Sequence, residues 1–144
     1  MPTRLADFTG RWSIERTIRD ALGPDGRFEG MAVLAPDGNG LVYRETGMLV
    51  LGETRLQAER KYLWRVGDSA DEIVVTFTDG RFFHSFELND GAEARHDCAP
   101  DTYNVRYDFT DWPIWQAVWR VRGPRKDYEM TSRYGPLPAG DAAE

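Results

Sequence analysis

The chain has 144 residues, with 24 acidic and 18 basic side chains that give a net charge of -6 at neutral pH. Hydrophobic residues make up 41% of the sequence and charged residues 29%, which is typical of one globular domain rather than a disordered segment. A net negative charge argues against a nucleic-acid partner, and no apolar run is long enough to cross a bilayer. We therefore expect no nucleic-acid partner and no membrane partner.

Cysteine content and the first residues bear on cofactors and on the cell compartment. Cys98 is the only cysteine, which excludes an intrachain disulfide and a zinc site built on cysteines. The opening segment MPTRLADFTG lacks the apolar core of a signal peptide. We expect a cytoplasmic protein with no cofactor and no metal site.

The pattern of the chain is mainly one of short alternating segments. Leu5 and Phe8 are three residues apart, which predicts one short helical turn before residue 10. From there, polar and apolar side chains alternate between turn signals such as Pro24-Asp25-Gly26. The strand-like segments are RWSIERTI, RFEGMAVLA, LVYRETGMLVL, TRLQAERKYLWRV, EIVVTFT, FFHSFEL, AEARHDC, TYNVRYDF, WQAVWRV and KDYEMTSRY.

One of these segments also fits a helix. Residues 54–66 contain good helix formers, and a helix would place Leu56, Arg60 and Leu63 along one side. The regular spacing of the turns along the chain favours a strand for this segment.

About ten short strands joined by hairpin-length turns predict an all-β fold with the topology of an antiparallel meander. No helix is available to cover such a sheet, so closure on itself is the simplest way to avoid an open edge. We therefore predict a single β-barrel of about 8–10 strands over residues 10–135. Residues 1–9 would form the N-terminal turn, and residues 136–144 a flexible tail.

The segment Phe8-Thr9-Gly10-Arg11-Trp12 resembles the Gly-x-Trp opening motif of lipocalins and their calycin relatives. The resemblance implies a calycin-like barrel in which Trp12 packs across the closed end against an arginine of the last strand, here Arg133. Gly10, Trp12 and Arg133 would then have structural roles. The segments HDCAPDTY and WRVRGPRKDY also resemble an uncharacterised bacterial family known only as a domain of unknown function.

Aromatic residues make up 12% of the chain, which predicts a core or a cavity walled by large rings. Trp112, Trp115 and Trp119 lie within eight residues of one another. We interpret these three tryptophans as core residues rather than as a platform on which a ligand stacks.

Several polar side chains fall on faces that otherwise point inward, among them Arg16 between Ile14 and Ile18. A buried guanidinium is costly unless it is paired or meets an anion, so these positions predict a wet cavity or an acidic ligand. The alternative is that the assignment of faces is wrong in some strands and the arginines are exposed to solvent. The residues predicted to line the ligand site are Arg44, Arg60, Tyr62, His84, His96 and Tyr128.

The two histidines are almost equidistant from the turn at Asn89-Asp90-Gly91, which predicts that His84 and His96 are cross-strand neighbours. Both can act as general acids or bases near neutral pH. A structural or cavity-lining pair is favoured over a metal site with Asp97 or Cys98 as a further ligand.

A basic cluster surrounds a predicted hairpin tip at Gly123-Pro124. Such a cluster either attracts an anionic ligand to one end of the barrel or is an ordinary solvated turn. Its members are Arg120, Arg122, Arg125 and Lys126.

These observations predict a small-molecule binding protein that holds a mainly apolar ligand with an acidic or polar end in a barrel cavity. The expected partner is a small hydrophobic or anionic molecule. One alternative is an isomerase or lyase that uses His84 or His96 together with an arginine. Another is a homodimeric interaction module.

Overall fold

The computed structural model describes residues 1–88 and 93–138, with the backbone alone for residues 93–98. A short 3-10 turn (Leu5–Phe8) precedes the strands, as predicted. The strands are β1 (Gly10–Asp20), β2 (Gly26–Asp37), β3 (Gly40–Leu51), β4 (Thr54–Val66), β5 (Glu72–Thr76), β6 (Phe82–Glu87), β7 (Glu93–Cys98), β8 (Asp101–Asp108), β9 (Trp115–Gly123) and β10 (Lys126–Pro136). Within the described ranges, no helix is long and apolar enough to span a membrane.

All these strands belong to one antiparallel sheet with the order β6-β5-β4-β3-β2-β1-β10-β9-β8-β7. Strands that follow each other along the chain are neighbours in this order, except that β6 and β7 stand at its two ends, and β10 returns to pair with β1. The sheet curls until its end strands, β6 and β7, come into contact. This confirms the predicted all-β meander barrel, and it makes residues 54–66 a strand rather than a helix.

One face of the sheet is buried and the other is solvated, as the alternation in the sequence predicts. In β1 the side chains of Trp12, Ile14 and Arg16 are buried, while Glu15 and Thr17 are exposed. The buried faces of the curled sheet meet around a shared interior, which is packed mainly by aromatic and branched aliphatic side chains.

One end of the barrel is sealed by aromatic rings. The Phe8 ring lies 5.1 Å from Trp112 and 5.5 Å from Trp115, both in edge-on contact. Trp12 packs against the same two tryptophans, and its indole Nε1 donates a 2.9 Å hydrogen bond to the carbonyl of Phe8. This confirms the prediction that Trp12 closes one end of the barrel.

The predicted partner of Trp12 was wrong. Arg133 is exposed on the outer face, where it lies opposite Glu15 of β1. The inward position at this point of β10 belongs to the adjacent Tyr134, since neighbouring residues of a strand point to opposite faces. The Tyr134 ring stacks on Trp115 with centroids 3.8 Å apart and planes 5° apart.

Two glycines make room for an aromatic ring in the hairpin of β2 and β3. Gly30 and Gly47 are opposite each other, and a Cβ on Gly47 would lie 2.6 Å from the Phe28 ring. The ring therefore lies across the bare backbone of the glycine pair. The guanidinium of Arg16 sits over this ring, 5.0 Å from its centroid. The glycine pair thus helps to position a buried cation.

The end of β10 runs beside the start of β1. The Leu137 amide donates a 2.9 Å hydrogen bond to the carbonyl of Arg11, and Arg11 Nη1 donates to the carbonyl of Pro138 at 3.2 Å. The first residues of the predicted tail are therefore held against β1. Residues 139–144 of that tail lie outside the described residues.

Candidate functional site

The interior opens into a cavity of about 490 Å³ at the end of the barrel opposite Trp12. Its inner wall is made of buried residues, namely Arg16, Tyr43, Glu45, Trp64, Val75, His84, Tyr107, Trp115, Ala117, Val121, Met130 and Tyr134. Its mouth is made of partly or fully exposed residues, namely Arg60, Tyr62, Phe77, Arg81, Phe82, Phe83, Tyr103, Trp119 and Tyr128.

Four of the six residues predicted to line a ligand site are on the wall of this cavity. Arg60, Tyr62 and Tyr128 lie at the mouth, and His84 belongs to the inner wall. Their positions agree with the sequence analysis, and their role as ligand contacts stays a prediction. The side chain of His96 lies outside the described residues, so its predicted pairing with His84 stays a prediction as well.

Arg44 is not in the cavity, which corrects the predicted orientation. Its side chain is 54% exposed, on the outer face of the barrel, and its Nε lies 4.0 Å from Glu59 Oε1. Tyr43 and Glu45 take the inward positions instead. The sequence of β3 carries apolar residues on both faces, so alternation alone did not decide which set of side chains is buried.

A buried ion pair crosses the inner wall. Arg16 Nη1 lies 2.7 Å from Glu45 Oε2, Nη2 lies 3.0 Å from Oε1, and Nε donates to Ser132 Oγ at 2.6 Å. Burial opposes the ionisation of Glu45, but the hydrogen bonds and charge of Arg16 outweigh it and lower the pKa of this carboxyl. In return, the hydrogen bonds and charge of Glu45 overcome the desolvation of Arg16 and raise its pKa. Both groups are therefore charged at neutral pH.

Two tyrosines extend this network. The Tyr43 hydroxyl donates to Glu45 Oε1 at 2.5 Å and lies 2.8 Å from the hydroxyl of Tyr134. Burial raises the pKa of both phenols, so both stay protonated at neutral pH. The Tyr43 hydroxyl has one proton and donates it to Glu45, so the Tyr134 hydroxyl donates its own proton to the oxygen of Tyr43. The network neutralises Arg16 from within the protein, so Arg16 needs no anionic ligand.

The alternation in β1 predicts the inward orientation of Arg16 but not its partners. Glu45, Tyr43 and Tyr134 carry no local signal, because the contact between Arg16 and Glu45 joins strands 29 residues apart. The only available clue was the cost of burying a guanidinium, which requires a carboxylate or an anion nearby.

His84 is held in an aromatic environment on the inner wall. Its Nε2 is 2.9 Å from the hydroxyl of Tyr107, and the Trp119 and Phe86 rings lie 5.0 and 6.0 Å away. Burial raises the pKa of Tyr107 well above its usual value. Among the described side chains, no group of three or more His, Cys, Asp or Glu residues is placed to hold a metal ion.

Among the described residues of the mouth, Arg60 is the one cation without an ion-pair partner. Arg60 is exposed and lies opposite Glu45 in the β3–β4 ladder. Within the described part of the chain no carboxylate forms an ion pair with it, whereas Arg81 Nε lies 2.7 Å from Asp79. Since Glu45 is already paired with Arg16, the described lining of the cavity holds one surplus positive charge, at Arg60.

The predicted basic cluster lies on the β9–β10 hairpin, near the mouth. Arg120 pairs with Asp127 at 2.5 Å, and Lys126 Nζ lies 3.1 Å from Asp101 and from the Tyr103 hydroxyl. These contacts balance two of the four cations with neighbouring acids. The other two are exposed, so most of this hairpin is an ordinary solvated turn.

A β-bulge in β6 places an additional ring in the mouth. Val75 pairs with His84 and Thr76 pairs with Phe82, so Phe83 is the extra residue of the bulge. The Phe83 ring turns into the barrel, while Phe82 beside it is 53% exposed. The Phe83 ring stacks with Phe77, Trp119 and Tyr62, at centroid distances of 4.8, 5.2 and 5.5 Å. Phe83 was not predicted to line the cavity, because regular alternation places it on the outer face.

The fold has a counterpart among solved structures. The S-type phycobiliprotein lyase CPES from Guillardia theta matches with a TM-score of 0.62 over 94% of this chain and 92% of the lyase chain. Sequence identity is 6%, so the likeness shows the fold alone, and it agrees with the predicted calycin-like barrel. No functionally curated protein matches the chain.

A protein-family model matches residues 8–136. The match begins at Phe8 in the sealed end and finishes with the last residue of β10, so it includes every strand of the barrel. It confirms the predicted resemblance to an uncharacterised domain. The chain therefore belongs to DUF6314, a family of unknown function.

Proposed function

We propose that the chain is a small-molecule binding protein that holds a mainly apolar ligand in its cavity, with an anionic end of the ligand beside Arg60. The surplus charge of Arg60 at the mouth of a ring-walled cavity is the observation that carries this proposal. A volume of about 490 Å³ is in the range of small-molecule sites, which are mostly apolar with a few placed polar groups.

The charges of the lining residues favour one orientation of the ligand. Arg16 is satisfied by Glu45 and Ser132, so the wall residues that the structure describes offer no free cation. Arg60 has no ion-pair partner among the described residues and is close to water. An anion bound there keeps part of its hydration, while the apolar body of the ligand is buried deeper among the rings.

Binding is favoured over catalysis. His84 is 3% exposed and hydrogen-bonded to Tyr107, and it is packed among aromatic rings rather than beside a free arginine. The structural neighbour is named a phycobiliprotein lyase, but at 6% identity this name gives no reaction to the present chain.

The proposal is tested with two fluorescent probes that differ in charge, anilinonaphthalene sulfonate and the uncharged phenylnaphthylamine. Arg60→Gln removes the free cation, and we expect it to weaken sulfonate binding about tenfold, or about 1.4 kcal/mol. Arg44→Gln is the matched control, because it removes the same charge from the outer face. We expect the control to change the dissociation constant less than about twofold.

The uncharged probe should bind all three proteins with equal affinity, since it makes no use of Arg60. Equal weakening of the sulfonate by both substitutions would indicate a general effect of protein charge and would contradict the proposal. So would the absence of saturable binding of either probe by the unaltered protein.

A further inference from the structure

We infer that a second copy of this chain pairs with the open edge of β4, antiparallel and about a two-fold axis at Gln57. The two copies then form a dimer in which one β-sheet continues from one barrel into the other. The inference goes beyond the proposed function, because it assigns a partner to a strand edge and requires no ligand in the cavity.

Over most of its length, β4 is paired on one side only. β3 pairs with it from Thr54 to Trp64, whereas in the described part of the chain β5 pairs with it only from Leu63 to Val66. Residues 54–57 are exposed on both faces of the strand. The edge of residues 54–60 is therefore open to another strand.

The backbone groups of this edge point away from β3. Gly67, which follows β4, donates its amide proton to the carbonyl of Glu72 on the β5 side, at 2.8 Å. Backbone direction alternates along a regular strand, so Arg55, Gln57 and Glu59 offer their N–H and C=O groups to the same side. In an antiparallel pair centred on Gln57, all three are in hydrogen-bonded positions.

The charges on the outer face of β4 select this register. With the axis at Gln57, Arg55 of each copy lies opposite Glu59 of the other, so two ion pairs cross the interface. An axis at Ala58 would place Arg55 opposite Lys61, and an axis at Glu59 would place two glutamates opposite each other. Like charges in directly opposite positions are destabilising, so both of these neighbouring registers are disfavoured.

The inner face of the same edge carries an apolar side chain that the pairing would cover. Leu56 is 48% exposed, although it shares the cavity-facing side of the strand with Arg60. The axis at Gln57 puts Leu56 of each copy opposite Ala58 of the other. It also brings Thr54 of the second copy opposite Arg60, at the mouth of the cavity. The dimer therefore pairs opposite charges on one face and apolar groups on the other.

The experiment is sedimentation velocity of the full chain over a range of concentrations. We expect a monomer–dimer equilibrium with a dissociation constant of about 10 µM, since one strand pair is a small interface. Arg55→Glu places two acids opposite each other at two points and should weaken the dimer at least about tenfold. The double variant Arg55→Glu, Glu59→Arg restores opposite charges and should return the constant to within about threefold.

Two further variants separate the edge from general effects of charge. Arg27→Glu makes the same change of charge at an exposed position of β2, and it should alter the dissociation constant less than about twofold. Gln57→Pro removes the N–H that faces the second copy and leaves the hydrogen bonds to β3 in place. It should abolish the dimer while the far-UV circular dichroism spectrum stays that of the unaltered protein.

Three results would overturn the inference. One is a protein that stays monomeric up to about 500 µM. Another is a dimer that Arg55→Glu and Gln57→Pro both leave unchanged, because a different surface would then hold it. The third is a double variant as weak as Arg55→Glu alone, which would refute the register with its axis at Gln57.

Discussion

Glu45 is the residue on which the electrostatics of the cavity depend. It lies in the lumen between Arg16, which it binds through both carboxylate oxygens, and Arg60, its cross-strand neighbour. Among the described residues that line the cavity, one acid beside these two cations leaves a surplus positive charge that attracts an anion. The commitment of Glu45 to Arg16 makes Arg60, rather than the buried arginine, the group that meets the ligand.

Substitution of Glu45 by Gln should be strongly destabilising. The change leaves the buried Arg16 without a compensating charge, and we expect a loss of about 3 kcal/mol in the free energy of unfolding. Urea denaturation at neutral pH measures this loss. The matched control is Glu59→Gln, which removes an acid from an exposed pair with Arg44 and should cost less than about 0.5 kcal/mol. Equal losses in the two variants would contradict the assignment of a structural ion pair.

The lowered pKa of Glu45 also predicts a pH dependence of stability. A carboxyl whose pKa is lower in the folded state stabilises the protein above its unfolded pKa, here near 4.5, and this contribution is lost as the pH falls through the folded pKa. The unaltered protein should therefore lose more unfolding free energy between neutral pH and about pH 3 than Glu45→Gln does. Parallel losses in the two proteins would show that other carboxyls account for the acid sensitivity.

At the scale of elements, the β2–β3 hairpin supports the Arg16–Glu45 ion pair through the ring of Phe28. The Gly30–Gly47 pair leaves space for the Phe28 ring, and the guanidinium of Arg16 lies on that ring. The hairpin thus helps to position the guanidinium of Arg16 on β1. Arg16 lines the cavity, whereas Phe28 and the two glycines do not.

Gly47→Ala tests this support. The added Cβ would lie 2.6 Å from Phe28 Cζ and 2.7 Å from Gly30 Cα, so we expect a loss of about 2 kcal/mol in unfolding free energy. Gly23→Ala is the control, because its Cβ would meet only Asp20, at an ordinary 3.4 Å. The control should change stability by less than about 0.5 kcal/mol in the same urea titration. An unchanged Gly47→Ala stability would mean that the hairpin tolerates a side chain there.

The sequence predicted elements better than side-chain directions. Strong turn signals and alternation identified every described strand, but two local features were missed. In β3, Val42 lies on one face and Tyr43 on the other, and both are large hydrophobic side chains. Only the pairing of β3 with β2 and β4 decides which face of the strand points inward. In β6 the bulge at Phe83 arises from the register with β5, which no local pattern reports.

At the scale of the whole molecule, the barrel has a sealed end and an open end. Phe8, Trp12 and Trp112 fill the sealed end, and none of them lines the cavity. Trp119 lies at the mouth, on the same cavity as Arg60. This division follows from the opening Gly-x-Trp segment, which the sequence analysis had already assigned to closure of the barrel. It places binding at the opposite end.

The central claim is tested most directly by nuclear magnetic resonance of the five tryptophan indole groups during titration with anilinonaphthalene sulfonate. A Trp119→Phe variant assigns the resonance at the mouth. If the cavity binds the probe, the Trp119 indole signal shifts and saturates with the affinity measured by fluorescence, while the Trp12 and Trp112 signals stay in place. Saturating shifts at Trp12 or Trp112 with an unmoved Trp119 signal would contradict the account.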